Sequence, residues 1–336
     1  MNHLPPRKIA FVFILVIVMA ALLCAPFLLY PVFLMKMLCF ALFACAFNLL
    51  IGYTGLLSFG HAAFFGCAAY VTGYVLRDLH LPVVLGLLAG AAVGALIGLV
   101  MGLLAIRRQG IYFTMITLAL AQMLYFVCVQ APFTGGEDGL QGIPRGTLFG
   151  VIRLDSDLTL YFVVLAITVA AFGLIVRVIY SPFGQVLKAI KENEPRAISL
   201  GYDVDKYKLL AFVLSAALSG LAGSTKALVL GFATLTDVHW TMSGLVVLMT
   251  LIGGLGTIIG PIVGAVVIVM MEDRLGEIGD WLANVSGINW FHTLGDSVTI
   301  ATGFIFIICV LGFRRGLAGE VIALYRRQRQ RQRGHN

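Results

Sequence analysis

Charge is what this chain has least of. Of its 336 residues, 23 are lysine or arginine and 16 are aspartate or glutamate, 12% in all, against about 25% in a soluble domain. Between Lys8 and Lys36 no charged residue occurs, and the same holds between Lys36 and Arg77, Asp78 and Arg107, Arg108 and Glu137, and Asp237 and Glu272. A helix needs roughly 20 apolar residues to cross a bilayer core, and these runs are that long or about twice that long. A soluble fold is excluded. The chain reads as an all-α, polytopic integral membrane protein.

Further absences narrow the chemistry. No glycine is followed by lysine, so the G-x-x-x-x-G-K-[ST] phosphate loop is missing. If ATP drives the function, it acts on another polypeptide. The six cysteines, Cys24, Cys39, Cys45, Cys67, Cys128 and Cys309, lie in apolar runs and form no C-x-x-C pair. They read as buried small hydrophobes, neither disulfides nor metal ligands. Among six histidines only His61 sits well inside a long apolar run, whereas a metal or bis-histidine haem site needs more than one such ligand. No paired acid and base groups stand out. No catalytic residue, metal or cofactor bound by this chain is expected.

What is present is apolar and glycine-rich: 60% hydrophobic residues and 38 glycines, a residue favoured where membrane helices pack closely. A net charge of +7 would suggest nucleic acid in a soluble protein. Here it fits lysines and arginines retained beside anionic lipid on the cytoplasmic face, so the lipid bilayer is the expected partner and nucleic acid is not.

Turn signals and charges divide the chain into about ten spans of ~20 residues: 9–30, 32–51, 55–76, 82–106, 111–130, 158–180, 209–231, 240–259, 260–275 and 296–313. With the N-terminus in the cytoplasm, alternation places most basic residues inside and most acidic residues outside, and both termini come out cytoplasmic. The first apolar run is too long for a signal-peptide core and Leu22-Leu23-Cys24 is a poor cleavage site, so it reads as an uncleaved helix. The organisation expected is a cytoplasmic N-terminus at 1–8 and a transmembrane domain at 9–313, with a periplasmic loop at 131–157 and a cytoplasmic loop at 181–208. A basic cytoplasmic tail at 314–336 follows, its arginines near lipid headgroups.

Two segments are glycine-dense within apolar surroundings, 52–66 and 253–264. Both open on Leu-Ile-Gly-x-x-Gly, at Leu50 and at Leu251. Glycine- or proline-broken segments in corresponding halves mark transport sites in repeat-built transporters; close helix packing accounts for such glycines equally well. Candidate residues for a translocation pathway are Thr54, Ser58, Gly60, His61 and Gly256. His61 either lines a polar path or makes a structural hydrogen bond. Lys226, about five residues from the end of its span, reads first as a lysine snorkelling to the interface and second as a pathway residue.

The 181–208 loop can form an amphipathic helix over 185–200. Val186, Ala189, Ile190, Ala197 and Leu200 fall on one side, and Lys188, Lys191, Glu192 and Arg196 on the other, with Pro195 breaking or splitting it. Such a helix lies on the membrane surface or docks a cytoplasmic partner.

Three stretches together resemble one family. Asn48-Leu49-Leu50-Ile51-Gly52-Tyr53-Thr54-Gly55-Leu56-Leu57-Ser58-Phe59-Gly60-His61-Ala62 resembles the N-terminal signature of the high-affinity branched-chain amino acid ABC permeases. Thr134-Gly135-Gly136-Glu137-Asp138-Gly139-Leu140, followed by Gly142-Ile143-Pro144, resembles their outer loop. Ser181-Pro182-Phe183-Gly184, then Ala197-Ile198-Ser199-Leu200-Gly201-Tyr202 and Tyr207-Lys208-Leu209-Leu210-Ala211-Phe212, resembles their cytoplasmic loop. The likeness runs in order over roughly residues 40–315 and is closest to the M-type subunit. It implies a bacterial inner-membrane permease. The partners implied are a paralogous H-type permease, two ATP-binding cassette subunits carrying the ATP, and a periplasmic amino-acid-binding protein. It also implies a coupling role for Glu194, Arg196, Ala197 and Gly201, and receptor docking at Glu137 and Asp138. The E-A-A-x-x-x-G pattern of importer coupling loops is kept only in its second half, as Ala197-x-x-x-Gly201. Glu194 stands one residue early, with Pro195-Arg196 in place of the start.

Leucine, isoleucine and valine are the cargo the resemblance implies. The same architecture carrying urea, short amides or other amino acids is the nearest alternative. An ion-coupled secondary transporter or channel would need ionisable residues buried at mid-membrane, and apart from Lys226 the spans have essentially none.

Overall fold

The computed structural model describes residues 20–148 and 152–286, with positions 303, 304, 307, 316, 317, 319 and 320. The architecture is all-α. The helices are α1 (Pro31–Thr54), α2 (His61–Arg77), α3 (Val83–Ala105), α4 (Ile111–Gln130), α5 (Asp157–Tyr180), α6 (Pro182–Glu192), α7 (Glu194–Ser199), α8 (Val204–Leu230), α9 (Leu235–Val238), α10 (Trp240–Gly253) and α11 (Gly260–Ser286). Four two-residue strands, β1 (Leu140–Gln141), β2 (Thr147–Leu148), β3 (Ile152–Arg153) and β4 (Phe232–Ala233), only tie loops together.

Among the described residues five helices, α1, α3, α4, α5 and α8, are long and apolar enough to cross a membrane. They sort by burial. In α1 and α8 most of the apolar stretch is buried within the protein, 83% and 72%, against 33% or less in α3, α4 and α5. The first two therefore form the interior of the bundle, and the others turn residues such as Leu88, Leu103, Met123 and Phe126 outward. Exposed leucines at membrane depth cost nothing in lipid, which is as apolar as they are.

Packing between α3 and α8 follows from one sequence pattern. Gly86, Gly90, Gly94, Gly98 and Gly102 recur every fourth residue and are all buried, which places them along one stripe of the helix. A Cβ on Gly94 would lie 2.7 Å from the Ala216 carbonyl oxygen, and one on Gly220 would lie 2.9 Å from the Gly90 carbonyl oxygen. The two backbones are as near as they can come, and only glycine permits it. The Thr72 hydroxyl of α2 lies 2.8 Å from Ser224 Oγ of α8 and 3.0 Å from the Gly86 carbonyl of α3, joining three helices at one polar knot.

Several expected spans change on inspection. The 55–76 span is not one helix: 55–60 is irregular, and α2 begins only at His61. The Gly253-Gly254 pair ends α10 after 14 residues, so 240–259 is not a full span; at 1.5 Å per residue such a helix reaches only about two thirds of the way across the hydrocarbon. The helix expected over 260–275 runs on to Ser286 and is not one of the five. The loop expected at 181–208 closes at Asp203, which caps α8. Most of span 9–30, nearly all of 296–313 and the arginines of the tail lie outside the described residues. Cys24 is exposed, whereas Cys39, Cys45, Cys67 and Cys128 are buried free thiols, as the apolar runs suggested.

Candidate functional site: two glycine breaks that meet

The segments that share Leu-Ile-Gly-x-x-Gly touch one another. A helix leaves its last carbonyls without intrahelical partners, and α1 ends at Gly55, whose φ of 78° is the left-handed conformation glycine adopts without strain. Its counterpart in the second hexapeptide, Gly256, has a φ of 72°. Between them sits Asn48. Its Nδ2 donates to the Thr257 carbonyl at 2.9 Å, and its Oδ1 accepts from the Gly256 N–H at 2.9 Å. The side-chain amide thus pairs with the second break as a strand would. A Cβ on Gly52 would come within 2.9 Å of Gly256 N, so the contact is backbone on backbone.

The first break is held by hydroxyl groups. Irregular backbone at membrane depth must be satisfied by protein because lipid offers no partner. The Thr114 hydroxyl donates to the Leu57 carbonyl (2.9 Å), Thr117 Oγ1 accepts from Phe59 N–H (3.3 Å), and Ser243 Oγ donates to the Phe59 carbonyl (2.7 Å) while accepting from Ala62 N–H (2.8 Å). Ser58 Oγ accepts from Gly60 N–H at 3.1 Å, and the Thr54 hydroxyl donates back to the Leu50 carbonyl at 2.6 Å. In the second break Thr257 does the same local work, donating to the Gly254 carbonyl (2.7 Å) and accepting from Gly260 N–H (3.1 Å).

Of the expected pathway residues, Thr54, Ser58, Gly60 and His61 lie in or beside the first break and Gly256 in the second. Thr54, Ser58, Gly60 and His61 are all buried within this chain. His61 Nε2 lies 2.9 Å from Ser215 Oγ, and that hydroxyl donates to the Ala46 carbonyl at 2.5 Å. The other ring nitrogen, Nδ1, has no side-chain hydrogen-bond partner among the described residues. Phe47, Phe64 and Phe212 stand edge-on around the ring at centroid distances of 4.8, 5.3 and 6.2 Å. Gly256 lies across the junction with Gly52.

Lys226 does not snorkel. It is 6% exposed and its ammonium is paired with Asp237, which is 1% exposed. Counting residues to the end of α8 misled, because the chain turns back through β4 and α9 and covers that end. Asp237 itself went unnoticed in the sequence. Thr234, three residues before it, is a capping-box signal that could have found it.

At one end of the bundle the 181–203 connection forms the two short helices that Pro195 implied. Ser181 caps α6 and Asn193 caps α7, with Pro in the first turn of each. The expected apolar side is only partly buried. Leu187, Ile190 and Ala197 face inward, the last two sharing a small core with Val204. Ala189 and Leu200 point outward. Ile198, Leu200 and Tyr202 are 58, 69 and 40% exposed. Glu194 is bound within the chain, to Lys208 Nζ at 2.7 Å and Gln109 Nε2 at 2.9 Å. Arg196 and Gly201 are exposed. A bond from the Lys206 ammonium, helped by the Lys206 N–H, holds the Asp203 carboxyl below its usual range. Lys191 reaches from α6 to the Gly52 carbonyl, 2.7 Å away. Asn48 and Lys191 make further contacts that the sequence did not single out. A polar amide in the middle of an uncharged run was the available signal for the first.

At the opposite end, Glu137 and Asp138 are exposed on a loop that β1 fastens to β4, with Leu140 opposite Ala233 and Gln141 opposite Phe232. The two carboxylates stand on a fixed platform.

The chain is 27% identical over 264 residues to the high-affinity branched-chain amino acid transport system permease protein LivM of Escherichia coli, and equally to that of Salmonella typhimurium. Each match covers 70% of this chain but only 60% of the relative's own length. A solved structure, PsaBC from Streptococcus pneumoniae in complex with Fab, is 16% identical over 87% of this chain and 95% of that chain, with a TM-score of 0.40. The family described as branched-chain amino acid transport system / permease component matches residues 30–311. That stretch contains both glycine breaks, the platform carrying Glu137 and Asp138, and the α6–α7 loop, and the chain belongs to this family of membrane permease components.

Proposed function

We propose that this chain is one membrane-spanning subunit of an ATP-binding-cassette importer in a bacterial inner membrane. Leucine, isoleucine and valine, delivered by a periplasmic binding protein, are the cargo. A paralogous permease completes the passage, and two ATP-binding subunits supply the energy that this sequence, lacking a phosphate loop, cannot. The observation that carries the reading is the α6–α7 element. It presents Ile198, Leu200 and Tyr202 outward at the end of the bundle and is tied on its other side to the end of α1. An exposed apolar edge beyond the lipid suits a protein partner.

A free amino acid carries two charges, so its route across needs polar backbone at membrane depth. The two breaks supply that backbone, already paired in this conformation by Asn48 and the surrounding hydroxyls. Partner-driven separation of the breaks would free Gly256 and Thr257, now held by Asn48, to solvate a passing zwitterion. Glu137 and Asp138, on their platform, are the contacts offered to the binding protein.

The test is reconstitution. The chain co-expressed with its permease partner and ATP-binding subunits is placed in proteoliposomes, and receptor-stimulated ATPase and uptake are measured with leucine, valine, urea and short amides in turn. ATP-dependent leucine uptake by the assembly, and none by the chain alone, is the expected result. Accumulation by the chain alone would replace this reading with an ion-coupled transporter.

A further inference from the structure

Five observations converge on one lysine. The α1 helix ends at Gly55, and its C-terminal carbonyls carry the negative end of the helix dipole. The Ile51 carbonyl is taken by the Gly55 N–H. The next one, Gly52, is taken by the Lys191 ammonium at 2.7 Å. A Cβ on Gly256 would stand 3.2 Å from that same Gly52 oxygen and 4.0 Å from Lys191 Nζ. The ammonium therefore sits where the two breaks cross, within reach of both. Beside it Lys188 lies 5.7 Å over the Tyr53 ring, so α6 grips the last turn of α1 with two cations.

The grip is asymmetric in a useful way. Lys191 itself is an exposed residue, while its carbonyl partner belongs to a buried glycine. An ammonium at the edge of water can be withdrawn and rehydrated at small cost, whereas Asn48, buried beside the same crossing, has no water at hand to replace its bonds. The α6 helix is moreover joined to α7 through Asn193 alone, and the anchors of α7, Glu194 to Lys208 and to Gln109, reach α8 and the α3–α4 turn and not the breaks. Lys191 Nζ is the one hydrogen-bond donor that the 181–203 connection extends to either break among the described residues.

We propose that Lys191 is the positioning residue that links the α6–α7 loop to the crossing of the two glycine breaks. While its ammonium holds the Gly52 carbonyl, α6 is tied to the end of α1 beside the crossing; when a partner on α7 draws α6 away, the carbonyl is released and that link to the crossing is lost. This rests on the importer reading given above.

The experiment uses the assembled complex in proteoliposomes. Lys191→Gln is expected to lower the amount of amino acid taken up per ATP hydrolysed by about tenfold, the scale of an ordinary coupling between sites. Assembly, melting temperature and ATP binding are expected to be unchanged, and Lys191→Arg, which keeps a cationic donor, is expected to restore most of the ratio. A Lys191→Gln complex with the wild-type ratio overturns the proposal. A second measurement needs no variant. Acetylation of surface lysines read by mass spectrometry is expected to show Lys191 changing reactivity between nucleotide-free and ATP-trapped wild-type complexes, with Lys206 as the constant reference. Equal reactivity of Lys191 in both states also overturns it. Absence of any ATP-dependent uptake by the wild-type complex would instead remove the importer reading.

Discussion

Lys226 and Asp237 form a buried ion pair that locks the end of α8 to the short helix α9. The ammonium lies 2.6 Å from both carboxylate oxygens, and the Thr234 N–H and hydroxyl donate to Oδ2 at 3.2 and 3.1 Å. Val238, the next residue, packs so close to Gly66 that a Cβ there would stand 2.7 Å from the Val238 nitrogen. The pair therefore fixes α9 against both α8 and α2. Desolvation of two charges is recovered only with geometry this complete.

It follows that each charge depends on the other. Lys226→Met or Asp237→Leu alone leaves a buried charge unpaired and is expected to cost about 3–5 kcal/mol. The double variant Lys226→Met/Asp237→Leu is expected to be more stable than either single variant. Denaturant titration in detergent, followed by circular dichroism, measures all three. Additive losses would mean that the residues act independently and that the pair is incidental.

The glycine stripe yields a sharper contrast. Gly94→Leu must displace the Ala216 carbonyl backbone, since even a Cβ stands 2.7 Å from it. Overpacking of this kind costs about 1–3 kcal/mol or more. Gly173 on α5 meets nothing within 4 Å and is exposed, so Gly173→Leu is expected to be neutral. Yield and melting temperature of the purified chain compare them. Equal behaviour would show that the stripe is not a packing surface.

Much of this was legible. Turn signals and charges marked α4 to the residue and α3 and α5 within one, because a lipid-facing helix is bounded by the same water interface that bounds its composition. The splitting of the 185–200 helix followed from Pro195. What could not be read was which distant segments meet. The two hexapeptides share a pattern, but nothing in either says that Gly52 would lie on Gly256, since that contact is fixed by Asn48 and by helices between them. Burial misled in the same manner. Ala197, to which the resemblance gives a coupling role, is covered by Ile190 and Val204. Lys226 looked like a lysine at an interface because its acid is supplied by a turn.

Accessibility tests the crossing itself. Ser58 is fully buried and precedes Phe59, whose backbone Thr117 and Ser243 hold. A cysteine at Ser58, in a chain with its six native cysteines replaced, is expected to resist small water-soluble thiol reagents in the nucleotide-free complex. Parting of the breaks would make it reactive in one nucleotide-bound state. A cysteine unreactive in every state would assign Ser58 to packing alone.

The α7 edge carries the last prediction. Gly201 was the natural position to probe, but its φ of 87° makes any bulky replacement strain the loop by about 1–2 kcal/mol before a partner is met. A lost contact after Gly201→Trp would therefore be ambiguous, even though a Cβ there meets nothing within 4 Å. Leu200 avoids the difficulty. It is 69% exposed, caps α7 with a φ of −84° and touches none of the small core beneath. Leu200→Glu is expected to leave insertion and pairing with the second permease intact. Burying that carboxylate against an apolar partner surface would cost several kcal/mol, so retention of the ATP-binding subunits is expected to fall by at least about tenfold, since each 1.4 kcal/mol is a factor of ten. Uptake is expected to fall with it. Co-purification of the complex with and without the substitution reads the result. Wild-type retention with normal uptake would place the energy-coupling contact away from α7 and leave its exposed edge facing lipid headgroups.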